Sequence, residues 1–500
     1  MKSRVGRMGR WCCGLAFLWA MAQSAAAQTT NYFFPHLSVG STGAGTFQTT
    51  LTYINYSPQA VTCTTNFLSD SGAPLLVPFG ATTVSSRTDT MAAGGSVHVE
   101  TTAAANAPLS PGWARATCSG PVKASLLFRL YSGTTPVGEA GVNATTTPVT
   151  QFVSFAERKA GAFGTGVAYA NPSTQSALIT FTARDSNGQT LATTSRNLGP
   201  GGHDARGVSE LFSGVSFTGS VLISSTVAIV SLSLNFEADP VFSSLPPSEI
   251  GAPSAGPFEY NLPHLAVGAR WQTTLTYINV SNQAVSCTTN FQSDSGGSLA
   301  IPFGGAPASS RTDNLAVGGS VHVETTADVN APLSPGWARV LCNGEIKASL
   351  LFRLYSGTTP VAEAGVNASA TPTSKFVSFA EVGGVGKFGT GVALATAFPF
   401  FPVVCTVSAF NQAGTRVVAP AGVLLFGPSA TLHTAFNLGG PGGAFTAAFA
   451  AAGITSFVGS IHVVCSPPVV VSLQLNFEAD PVISSLPPGD LDSATLLAGP

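Results

Sequence analysis

The chain has 500 residues, of which only 9% are charged, and a formal net charge of −2. Such a chain has no electrostatic footprint for nucleic acid or for an anionic membrane surface, and its 44% hydrophobic content excludes global disorder. With 54 glycines and 34 prolines, it has the composition of short strands joined by many turns.

The N-terminus reads as an export signal. Lys2, Arg4, Arg7 and Arg10 form a basic leader, Trp11 to Ala22 is apolar, and Ala25-Ala26-Ala27 offers small residues for cleavage before Gln28. Basic, apolar, then small is the secretory pattern, so residues 1–27 are expected to be a signal peptide. The apolar run is shorter than the roughly 20 residues that span a bilayer. The expected location is therefore extracellular or on a bacterial cell surface, with no membrane span in the mature chain.

The mature sequence repeats itself. Thr49 to Asn55 (TTLTYIN) returns as Thr273 to Asn279, Gly94 to Thr102 as Gly318 to Thr326, Lys123 to Val137 as Lys347 to Val361, and Ser243 to Pro247 (SSLPP) as Ser484 to Pro488. Residues 31–247 and 258–488 are two copies of one unit. A weaker repeat lies inside each copy: Thr52 to Gly72 and Ala168 to Gly188 share a strand, an Asn-containing turn, a second strand and a polar turn ending in Gly. Four modules follow, at 31–148, 149–247, 258–372 and 373–488.

Taken in order, the elements read as half-buried strands. In Val122 to Leu130, residues Val122, Ala124, Leu126, Phe128 and Leu130 share one face, while Lys123, Ser125, Leu127 and Arg129 share the other. This period of two predicts antiparallel strands with one face in a core and one in water. Ser231 to Glu237 alternates likewise, and Asp70-Ser71-Gly72 and Asp185 to Gly188 are turn chemistry. The Pro-rich stretch through linker 248–257 is expected to space the two units, and 489–500 reads as a tail. Val392 to Phe410 is almost wholly apolar, but Pro399 and Pro402 argue against a straight membrane helix. Ala444 to Ala452 is the best candidate for a short helix. The fold class is all-β: four tandem antiparallel sandwiches in two duplicated two-module units.

Six cysteines lie beyond the signal. Cys63, Cys287 and Cys405 precede the turn glycines Gly72, Gly296 and Gly414 by one common interval; Cys118, Cys342 and Cys465 follow Gly112, Gly336 and Gly459 by another. In the second module the matching positions are Ile179 and Ser225, so both cysteines are missing together, as a bonded pair predicts. Six cysteines allow fifteen pairings; the repeat register selects Cys63–Cys118, Cys287–Cys342 and Cys405–Cys465. Zinc sites want closely spaced pairs such as C-x-x-C, and none occurs.

Catalytic signatures are missing: no G-x-S-x-G elbow, H-E-x-x-H or phosphate loop is present. His98 and Glu100 point to one face of a strand, and His322 and Glu324 repeat the pair. A His–Glu pair can bind metal or move a proton, but the plain reading is a duplicated polar outer face. His36 and His264 sit in Pro-His-Leu near module starts, with no counterpart in modules two and four, and a structural hydrogen bond near a strand end is expected of them in preference to a ligand role. Glu139 and Glu363 recur, but no second carboxylate is identified for an acid/base pair. Trp113 and Trp337 read as core packing; Trp271 is the one tryptophan expected to be partly exposed. No catalytic residue, cofactor or metal is expected.

The ordered motifs Phe34-Pro35-His36-Leu37, Thr49 to Asn55, the Asp-Ser-Gly turn, Gly112-Trp113-Ala114-Arg115, Phe128-Arg129 and Glu139-Ala140-Gly141-Val142 resemble the largely uncharacterised immunoglobulin-like sandwich repeats of secreted proteins from Acidobacteria and similar soil bacteria. The resemblance implies an extracellular sandwich and no known activity. True immunoglobulin domains place Trp between the cysteines nearer the first, whereas Trp113 lies close before the second. The expected function is non-catalytic: a secreted or surface structural and interaction protein whose loops, such as Ala103 to Pro111, meet an extracellular protein or polysaccharide. Carbohydrate binding is the alternative, with Trp271, His98, Glu100, His322 and Glu324 as contacts; a hydrolase with an unrecognised site comes third.

Overall fold

The computed structural model describes residues 29–491, apart from 105, 159–163, 239, 246, 252–254, 327, 329, 384–388, 397–401, 427–432, 439–452, 480 and 487–488. The signal segment and the Ala444 to Ala452 helix candidate lie outside the described residues.

Four consecutive sets of antiparallel strands make up the fold. In set 1, Thr30–Thr42, Ser110–Cys118, Val61–Ser69 and Ser86–Met91 form one sheet in that order. Ser96–Glu100, Gly45–Asn55, Val122–Ser132 and Thr135–Asn143 form the other. Phe34, Leu51, Tyr53, Phe67, Leu126 and Phe128 fill the space between them, because successive strand residues point to opposite faces. Set 3, from Phe258 to Asn367, repeats this order strand for strand. Sets 2 and 4 differ in one respect. A single long strand, Phe217–Ala238 in set 2 and Phe457–Ala479 in set 4, runs through both sheets in place of two strands. Among the described residues the one helix is the single turn Val208–Leu211.

The Asn-containing turn has a local cause. Asn55 Nδ2 donates to the carbonyls of Gln59 and Ala92, and its Oδ1 accepts from the Ser57 amide and hydroxyl. Asn171 and Asn279 make the same bonds, the Asx-turn chemistry that ends a strand.

Three disulfides join Cys63 to Cys118, Cys287 to Cys342 and Cys405 to Cys465, the pairs chosen by the repeat register. Each links directly opposed residues on neighbouring strands of one sheet, with Cα atoms 4.0–4.1 Å apart. In set 2 the opposed residues are Ile179 and Ser225. Three disulfides fit an oxidising compartment. No helix among the described residues is long and apolar enough to cross a membrane; the apolar Val392 to Phe410 stretch contributes to the strands Gly389–Thr396 and Val403–Asn411.

The four sets close into a ring. In each, the amide of the residue that opens one strand donates to a carbonyl of the preceding set's polar turn, two residues before the turn glycine. His203 N donates to Asp70 O (3.0 Å), Ser320 N to Ser186 O (2.9 Å), His433 N to Asp294 O (3.3 Å), and Ser96 N to Gln412 O (3.0 Å). The last bond returns set 4 to set 1. A head-to-tail contact repeated through a closing rotation makes a ring, here within one chain.

The ring also solves an edge problem. Thr135–Asn143, Val241–Leu245, Thr359–Asn367 and Val482–Ser485 each end the second sheet of their set. An open edge is a template for unwanted pairing; here each of the four packs against two of the others at the ring's centre. Ser244 Oγ donates to the Gly141 carbonyl and Ser485 Oγ to the Gly365 carbonyl. A Cβ on Gly141 would lie 2.3 Å from Ser485 O, and one on Gly365 would lie 2.5 Å from Ser244 O. Only glycine permits that approach.

Three expectations meet a different outcome in the structure. The 122–132 strand has no face in water: Ser125, Leu127 and Arg129 are buried as fully as Ala124, Leu126 and Phe128. The linker 248–257 is not a plain spacer, since Ser248–Glu249 extend a sheet beside Phe152 and Val153. Nor is 489–500 wholly a tail, because Gly489–Asp490 pair with Phe376 and Val377 and Leu491 is buried.

Candidate functional site

The joints between sets gather the chain's polar chemistry. At the joint from set 1 to set 2, the Asp70 carboxylate lies 2.7 Å from His203 Nδ1, and His203 Nε2 lies 3.0 Å from His36 Nδ1. The two imidazoles are stacked at 5.1 Å. The joint from set 3 to set 4 repeats the chain: Asp294 to His433 at 2.8 Å, His433 to His264 at 3.1 Å, rings 5.2 Å apart. His36 and His264 thus each hydrogen-bond a histidine of the next set. His203 and His433 open the strands His203–Gly207 and His433–Asn437, at the repeat position held by Ser96 and Ser320.

The proton order follows from the acceptor at one end. A carboxylate only accepts, so His203 Nδ1–H donates to Asp70. In the tautomer where His203 carries its one proton on Nδ1, its Nε2 accepts from His36 Nδ1–H, and His36 Nε2 is then a lone pair. Burial holds His36 well below the usual imidazole value of 6.5, and burial takes His264 down to about 3. Trp113 seals the first joint: it lies with Phe33, Ala170 and Val230, and its indole N–H donates to Gly201 O at 2.7 Å. Trp337 lies with Ala395 and Val470 at the third. Both tryptophans thus pack between sets and not inside their own cores, because they stand on the outward face of the strand.

The other two joints use the predicted His–Glu pairs. His98 stacks on Phe379 of set 4 at 4.4 Å, and His322 stacks on Phe155 of set 2 at 3.9 Å. Their Nδ1 atoms meet Thr52 and Thr276 at 3.0 and 2.9 Å. This face is polar, as expected, but another set covers it. Glu100 and Glu324 turn toward the hub. Arg129 bridges Glu139 at 2.5 Å and Glu100 at 3.2 Å; Arg353 bridges Glu363 at 2.6 Å and Glu324 at 3.2 Å. Ser484 Oγ donates to Glu139 and Ser243 Oγ to Glu363, each from the distant unit. Glu100 and Glu324 are the second carboxylates that sequence left unidentified. Each pair shares a buried arginine within its own set, and Glu139 and Glu363 carry the bonds to the distant unit. Trp271 is half-buried and packs on Leu354, Ala362 and Ile483.

Two clefts border these joints. One, of about 370 Å³, lies where set 1 meets set 2 and is lined by His36, Arg206, Ser209, Glu210, Leu234 and Phe236 among others. The other, of about 520 Å³, is lined by Glu249, Glu259, Tyr260, Glu345 and Lys347 among others. There Glu345 pairs with Lys347 at 3.1 Å and Glu259 with Arg339 at 2.5 Å. Among the described residues no three His, Cys, Asp or Glu side chains converge as a metal site. No known family model matches the chain, and no curated protein is similar to it in sequence.

Proposed function

We propose that this chain is an exported, non-catalytic interaction protein. It consists of four immunoglobulin-like sandwich modules, 31–148, 149–247, 258–372 and 373–488, in two duplicated units. The ring carries this reading. It consumes the hub-side edge of each second sheet and the polar faces around His98 and His322 in contacts between sets, and leaves exposed loop tips in a fixed geometry. On those tips stand apolar side chains that the core does not use: Leu76 is 66% exposed, Leu109 38% and Leu333 47%. Leu109 and Leu333 occupy the same repeat position, so one chain offers two equivalent contacts to an extracellular partner, and paired contacts add avidity. Recognition of glycans on an aromatic platform is the weaker alternative, because no exposed large apolar side chain among the described residues is aromatic.

The test is a binding screen of oxidised residues 28–500 against polysaccharides, peptidoglycan and whole cells. It is run beside the variant carrying Leu109→Asp and Leu333→Asp. Saturable binding that the double variant loses supports the reading. Binding that survives both substitutions, or no binding to any surface, refutes it.

A further inference from the structure

We propose that the cleft between sets 1 and 2 binds a neutral, hydroxyl-bearing small molecule of the size of one or two sugar rings, with His36 Nε2 as its buried hydrogen-bond acceptor. Four observations converge on this assignment. The volume, about 370 Å³, falls within the range of small-molecule sites, roughly 300–1,000 Å³. His36 is only 8% exposed and spends Nδ1 on His203. In the tautomer where His203 donates from Nδ1 to Asp70 and accepts at Nε2 from His36, His36 Nε2 is a lone pair on a side chain that lines the cleft. That atom asks for a donor.

The charges in the wall choose the donor's class. Arg206 is the cleft's cation, and it is already balanced: its Nε lies 2.9 Å from Asp204 and its Nη1 3.7 Å from Glu210. Glu210 in turn caps the Gly207 amide at 2.7 Å. An anionic ligand would have to displace these carboxylates, and a cationic one would meet the arginine. A hydroxyl satisfies His36 without either penalty. Ser209, Glu210 and Arg206 supply further donors and acceptors around the mouth, while Leu234 and Phe236 form an apolar wall suited to the C–H face of a sugar ring. His36 and the short wall strand are duplicated, since Thr165 to Ala168 and Thr390 to Ala393 are both Thr-Gly-Val-Ala.

This inference does not depend on the loop-tip reading. The experiment titrates the oxidised mature chain by calorimetry with neutral mono- and disaccharides, and with glucuronic acid and glucosamine as charged matches. Two variants are run alongside. Ser209→Phe fills the cleft and leaves Asp70, His203 and His36 in place. His36→Phe removes the acceptor, and its melting temperature is measured in parallel. The expected result is saturable binding of at least one neutral sugar, weakened about tenfold or more in both variants, as loss of one buried hydrogen bond implies. Binding should hold steady above pH 6.5, where His36 is neutral, and fall in acid as Nε2 gains a proton. The proposal is overturned if no neutral sugar saturates at about 10 mM, if Ser209→Phe leaves binding unchanged, or if the charged sugars bind as well.

Discussion

The ring contains two kinds of joint built on one backbone rule. At all four, a strand-opening amide meets the carbonyl of the neighbouring turn. Joints 1→2 and 3→4, inside each unit, add a buried Asp–His–His chain. Joints 2→3 and 4→1, between units, instead place a histidine flat on a phenylalanine. The backbone contact gives the ring a fourfold character. The side chains lower it to twofold. Every histidine of the chain except His462 stands at a joint.

The comparison breaks first at the turn glycines. Gly188 has φ +82°, and a Cβ there would lie 2.1 Å from Val317 O; Gly72 has φ +80°, with 2.8 Å to Pro200 O. A side chain in that backbone region costs about 1–3 kcal/mol before any clash. Gly188→Val should open joint 2→3, and Gly72→Val joint 1→2, each enlarging the radius of gyration in X-ray scattering. A ring of unchanged size in Gly188→Val would mean that turn docking is not what holds it.

Within-unit joints should suffer more from losing a histidine than between-unit joints do. His203→Ala strands the buried His36 Nδ1–H, at a cost of about 1–3 kcal/mol. Chemical denaturation of the oxidised protein measures it. Acid supplies the next contrast. His36 and His264 are bases held neutral by burial. Below pH 6.5 the unfolded chain takes up protons that the folded chain refuses, so stability is full above pH 6.5 and declines as pH falls toward the folded values. Each contributes up to about 1.4 kcal/mol per pH unit in that window. A variant carrying His36→Gln and His264→Gln should lose that share of the slope. The smallest effect is expected at a stacked joint: His322→Leu keeps the apolar contact with Phe155 and forfeits about 0.5–1.5 kcal/mol of ring stacking, read as a small drop in melting temperature.

How legible these features are depends on their range. The strand alternation in 122–130, the Asn55-type turns and the cysteine pairs are local or repeat-registered, and sequence reveals them. Strand alternation also marks His98, Glu100, His322 and Glu324 as a duplicated polar face, yet what covers that face lies in another set. The Asp–His–His chains are hidden from a local reading because their members sit far apart in sequence, in segments that look unalike around His203 and His433. One signal is available. Both Ser96 and His203 follow a Gly-Gly pair, so aligning strand openings across modules sets the histidine in register with the serine.

By itself the sequence determined the all-β class, the duplication and the disulfide pairs. Side-chain periodicity, turn chemistry and matched spacing act over a few residues or between repeats that can be compared by eye. Only the tertiary structure decided that the chain is a ring and not a string. Closure depends on the angle at which one set docks on the next, and a small rotation repeated four times either returns to its start or does not. That angle arises from the turn contacts, the glycines at the hub and the serine bonds across it acting together, and no single stretch of the chain encodes it.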